Sequence, residues 1–147
     1  ADYIYHSLHM ANPYIRDLLG MIAAEELGHW ELIGVVIRKL GSGLPVQGES
    51  AGSFYMGQGL EKKDQTDILM MLQGDEEAEI RARKRYLKLL TLTDDTYVKK
   101  MLQFLARRET VHQKLLNQII QLMVQDAKNE QYAGVIHDYK MSLRVVK

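Results

Sequence analysis

A short pattern occurs twice in this chain: Glu26-Leu27-Gly28-His29, and much later Glu109-Thr110-Val111-His112. Residues three apart on an α-helix share a face about one turn apart, so each pattern aims a carboxylate and an imidazole in one direction. Helical phase carried outward from Glu26 and His29 passes through Ile15, Leu19, Ile22, Ile33, Val36 and Leu40. From Glu109 and His112 it passes through Met101, Leu105, Leu116, Ile119 and Met123. Both pairs therefore interrupt the stripe that a helix buries. An isolated carboxylate in a low-dielectric interior is costly enough to be paired, protonated or metal-bound. Two such pairs on separate helices make metal binding the leading explanation, and they require helices that face one another.

Composition narrows the metal. The chain has no cysteine, which excludes disulfides, zinc-thiolate sites and iron-sulfur clusters, and leaves oxygen and nitrogen ligands suited to manganese or iron. Its 147 residues, 46% of them apolar, suit a single domain with one core. Lys and Arg number 19 against 19 Asp and Glu, so no net charge draws the chain to nucleic acid or to a membrane surface. No apolar run approaches the roughly 20 residues of a membrane span, and no signal peptide is visible. A cytoplasmic location is expected.

Residues 1–10 carry Ile4 and Leu8 at helical spacing and read as the end of a helix already under way. Asn12 suits an N-cap and Pro13 a first helical position, so a second helix runs from there to about Leu40, where Gly41 can take the left-handed terminating conformation. Gly20, Gly28 and Gly34 inside it reduce helix propensity, and a close neighbour is expected against at least one of them. Residues 41–63 are glycine-rich and read as a connection, too long for a tight hairpin and suited to a crossover along a bundle. Asp64 or Thr66 caps a third helix to about Leu92; Thr93-Asp94-Asp95 turns the chain into a fourth, ending near Asp126. Residues 127–147 show no clear period and read as an arm on the body or on a neighbouring subunit. The expected fold is all-α: a ferritin-like four-helix bundle with one long crossover between helices two and three, plus a C-terminal arm.

A hairpin argument locates a further ligand. If helices three and four turn near residue 94, the position level with Glu109 is near 79, and Glu79 is there. Its phase runs through Leu72, Tyr86 and Leu90, whereas Glu77 falls on the opposite face. Glu76 is level with His112 and is a second candidate. On the first hairpin, the partner of Glu26 falls before Ala1, so the first helix is expected to begin upstream and to carry a carboxylate there. One carboxylate from each of two helices and a Glu-x-x-His from each of the others is the dimetal set of this architecture.

The stretches IAAEELGHWELIG, EIRARKRYLKLLTLTDD and LQFLARRETVHQ resemble the manganese catalase family, including its spore-coat relatives of the CotJ type. The resemblance implies a dinuclear manganese centre that disproportionates hydrogen peroxide to water and dioxygen; separately, the tyrosines and the long tail lead us to expect a homo-oligomer. Carried across by motif, Glu26 bridges the metals, His29 binds the first, and Glu79 with His112 binds the second. Glu109 stands beside the second metal as catalytic proton acceptor or as a further ligand. The chain departs from the family in its short crossover and in lacking the first-helix Glu.

Two other functions stay open: a diiron protein of rubrerythrin or ferritin type, and a coat component with little turnover. Glu25, Asp75 and Glu76 are candidates to tie the outer nitrogens of ligating imidazoles. His6, His9 and His137 read as surface or packing histidines. Arg81, Arg83, Lys84 and Arg85 form a solvated face from which Arg83 can approach the site. Met70, Met71, Met101 and Met123 read as core filler, and Tyr3, Tyr5 and Tyr86 read first as packing residues, with gating or hydrogen bonding near the metals as the alternative.

Overall fold

Asn12 and Pro13 behave as their chemistry favours: the Asn12 side-chain oxygen accepts from the backbone N–H of Tyr14 at 2.9 Å and of Ile15 at 3.3 Å, and Pro13 opens the helix. The computed structural model describes residues 3–41 and 63–144. Within them lie α1 Tyr3–Leu8, α2 Pro13–Lys39, α3 Gln65–Leu90, α4 Thr96–Val124 and α5 Asn129–Ser142, with no strand among the described residues. Gly41 ends α2 at φ 78°, the left-handed conformation expected of it. Asp64 caps α3 by accepting from Asp67 N–H, and Asp95 caps α4 by accepting from Val98 N–H. The expected crossover falls on 41–63, nearly all of it outside the described residues.

The α3 and α4 helices form an antiparallel hairpin, α1 folds back on α2, and α5 lies against both α2 and α4. Leu18, Leu19 and Ile22 of α2 meet Leu72 of α3 and Leu116 and Ile119 of α4, all of them buried. The stripe expected on α4 is buried from Leu105 to Met123, whereas on α2 it fades: Ile15, Leu19 and Ile22 are buried and Leu40 is 59% exposed. Met70 is likewise exposed at 65%, so it is not core filler.

Two expectations need correction. Residues 129–142 are helical, and Tyr132, Val135 and Tyr139 of α5 enter the core, so the C-terminal arm is a packed fifth helix. The spacing of these three residues is itself helical, but a glycine and a polar surround dilute it. No described atom lies within 4 Å of a Cβ placed at Gly20, Gly28 or Gly34, so the close neighbour expected there is not found among the described residues. Gly20→Ala should therefore raise stability by about 0.5–1 kcal/mol, since alanine is the better helix former and meets open space. Urea unfolding checks this, and a loss of stability would reveal a neighbour that these contacts do not contain.

Candidate metal centre

Helical phase on α2, α3 and α4 brings the expected residues to one place. Glu26, Glu79, Glu109 and His112 each offer a ligand atom, and the four atoms lie within 4.8 Å of one another. His112 Nδ1 stands 3.2 Å from Glu26 Oε1, 3.5 Å from Glu109 Oε2 and 3.6 Å from Glu79 Oε2. His29 borders the group: its Nδ1 is 3.2 Å from the same Glu26 oxygen and 3.6 Å from Glu109 Oε1. The two imidazoles are stacked with centroids 6.0 Å apart. Glu77 faces solvent and pairs with Arg81, as its phase requires.

These groups are buried and mostly unsatisfied. Glu109 and His112 are 1% and 0% exposed, and Glu79 and His29 are also buried. Glu26 Oε1, both Glu109 oxygens, His112 Nδ1 and both His29 nitrogens have no hydrogen-bond partner. Native interiors rarely leave such groups unpaired unless an ion or water satisfies them. Oxygen and imidazole donors converging without thiolate match the preferences of manganese and iron. The residues present therefore fit a metal centre.

Electrostatics divide the carboxylates. Burial pushes Glu79 up to about 7, against the pull of the His112 imidazole. Burial would also raise Glu26 and Glu109, but the His112 and His29 imidazoles outweigh it and hold both below the usual carboxylate range. Burial would lower His29 and His112, yet the surrounding carboxylates raise both, His29 to about 11.

The outward side of the imidazoles is organised by Glu25. His112 Nε2 hydrogen-bonds Glu25 Oε2 at 2.9 Å, and His29 Nε2 approaches Glu25 Oε1 to 3.5 Å. A carboxylate can only accept, so His112 Nε2 donates to Glu25, and Nδ1 is the nitrogen turned to the pocket, where a cation would take the place of its proton. The Arg108 fork binds both Glu25 oxygens, and Tyr139 donates to Oε2 at 3.0 Å. Burial would raise Glu25, but His112, His29 and Arg108 together hold it well below the ordinary value. Of the three candidates for this role, Asp75 is occupied by His6 at 2.8 Å and Glu76 by Asn117 at 3.3 Å. Glu76 lies outside the converging group.

Several residues sit elsewhere than expected. Tyr3 does more than pack: its hydroxyl donates to Glu79 Oε1, so α1 reaches the cluster. Tyr86 stays half-buried beside it, and burial together with the charges of Glu109, Glu26 and Glu79 pushes its hydroxyl to about 12. His6 has a buried partner in Asp75, whereas His9 bonds the Tyr5 carbonyl and His137 is exposed. Arg83 lines an open groove between α3 and α4 with Leu87, Gln103, Ala106, Arg107 and Thr110. Arg108 and Tyr139 were not anticipated. The signal for Arg108 was available, since it shares the buried stripe of Leu105 and His112.

No curated protein and no solved structure matched the chain. Residues 46–131 match the family of manganese containing catalases. That segment includes Glu79, Glu109 and His112 but not the Glu26-x-x-His29 motif, which converges on them from α2 independently of the match. With more than half of its length matched in this way, the chain belongs to the manganese catalase family.

Proposed function

We propose that this chain holds two manganese ions and disproportionates hydrogen peroxide, two molecules giving two of water and one of dioxygen. The observation that carries the reading is the convergence of Glu26, Glu79, Glu109 and His112 within 4.8 Å, bordered by His29, with Glu26 Oε1, both Glu109 oxygens and the inward nitrogens of both imidazoles lacking a hydrogen-bond partner. Glu26, whose Oε1 lies 3.2 Å from both inward imidazole nitrogens, would hold the ions from the middle of the group. His29 completes one side of the site, Glu79 and His112 the other. Two divalent cations carry four positive charges against three carboxylates, so the donor set nearly balances them inside the bundle. Manganese supplies reversible two-electron exchange, which suits peroxide reduction to water alternating with peroxide oxidation to dioxygen.

The chain's residues handle the protons and the solvent. Glu109, buried beside both imidazoles, is assigned as the proton acceptor or as a further ligand. The Tyr3 hydroxyl fixes one Glu79 oxygen and turns the other toward His112. Burial of Glu79, Glu109, His29 and His112 limits the access of bulk water, and Glu26, with a quarter of its side chain exposed, marks the open side of the group. Leu27 and Trp30, one turn apart on α2 and 61% and 73% exposed, support self-association of the chain.

Metal analysis combined with an oxygen electrode tests the reading. Manganese-loaded protein should release one dioxygen for every two peroxides consumed. Iron-loaded protein that consumes peroxide without dioxygen would favour the diiron alternative, and metal-replete protein without turnover a structural role.

A further inference from the structure

Glu25 has four polar neighbours from three helices, and none of the inward donor groups uses it. On α4, the Arg108 Nε and Nη2 donate to its two oxygens, and His112 Nε2 shares Oε2. On α5, the Tyr139 hydroxyl donates to Oε2. One turn along α2, His29 Nε2 faces Oε1 at 3.5 Å. The opposite side of Arg108 is held by the end of α5: Nη1 donates to the Ser142 carbonyl and Nη2 to the Ser142 hydroxyl, both at 3.2 Å. Both imidazoles are thus backed by the same carboxylate, and that carboxylate is clamped by a guanidinium and by the C-terminal helix.

We propose that Glu25 is a shared positioning residue: one oxygen hydrogen-bonds His112 Nε2 and the other attracts His29 Nε2 at ion-pair distance, so that Nδ1 of each imidazole faces the metal pocket, with Arg108 and α5 as the mount. This inference rests on the metal-site reading above. Its chemistry is that of an outer carboxylate that orients a ligating imidazole and raises its donor strength; losing such a partner typically costs about 10–100-fold in metal affinity. The unusual feature is that one residue serves both imidazoles, so a single change disturbs both sides of the site.

The obvious objection is that the Glu25–Arg108 pair only stabilises the bundle. A paired replacement separates the two roles, because exchanging both members of a buried ion pair for apolar residues of similar size commonly preserves folding. The Glu25→Leu/Arg108→Met double variant should keep the wild-type helical content, with a smaller loss of stability than Arg108→Ala alone, yet bind manganese about 10–100-fold more weakly in competition with a chelator. Wild-type manganese affinity in the folded double variant would overturn the proposal. Should the double variant not fold, the wild-type protein loaded with zinc gives an independent answer by nitrogen-detected NMR of its histidines. His29 and His112 should both carry their proton on Nε2 and bind the ion through Nδ1; a proton on Nδ1 of either would overturn the proposal. Failure of the wild-type chain to bind either metal would instead remove the metal-site reading, and this inference with it.

Discussion

Replacing Arg108 alone with alanine is expected to destabilise the fold by about 3–5 kcal/mol, the cost of leaving a buried carboxylate without its guanidinium. Arg108 is 5% exposed and Glu25 sits beside the core, so water cannot take over the lost bonds cheaply. The Ser142 carbonyl and hydroxyl lose their donor at the same time, which loosens the end of α5. Removing the exposed Arg81 of the Arg81–Glu77 pair, 3.6 Å apart on the surface of α3, is expected to change stability by no more than a few tenths of a kcal/mol. Urea unfolding of the two alanine variants measures the contrast. Equal effects would mean that the buried network carries no special weight.

The second large effect is on metal content. Glu79→Ala removes a carboxylate from the converging group and should reduce bound manganese from two ions per chain to one or fewer, with the helical content retained. Its loss leaves the Tyr3 hydroxyl without its acceptor, a cost of about 1–3 kcal/mol, and removes one of the three carboxylates near His112 Nδ1. Glu77→Ala, two residues away on the solvent side, should keep the full complement. Elemental analysis after dialysis against manganese decides the matter, and equal content in the two variants would contradict the ligand assignment.

The converging residues were legible because each followed from geometry that a helix imposes. Periodicity put Glu26, His29, Glu109 and His112 on buried stripes, and distance from the turn at residue 94 put Glu79 level with Glu109. What surrounds them was harder to read. Glu25, Asp75 and Glu76 are alike in sequence, and only side-chain rotamers and the partners already taken by Asp75 and Glu76 separate them. Tyr3 and His6 find their partners, Glu79 and Asp75, across the bundle, where no local pattern reports them. The fifth helix was masked because Tyr132, Val135 and Tyr139 are three apolar contacts in a polar run; tertiary packing supplies the order that local propensity does not. The expected partner for the glycines of α2 rested on propensity alone, and the described contacts do not include one.

Anomalous diffraction at the manganese absorption edge, from crystals grown with manganese, tests the central claim most directly. Two peaks are expected, enclosed by Glu26, His29, Glu79, Glu109 and His112, with Nδ1 of each histidine nearest the ions. Density at that wavelength only on the protein surface, or none within the bundle, would contradict it.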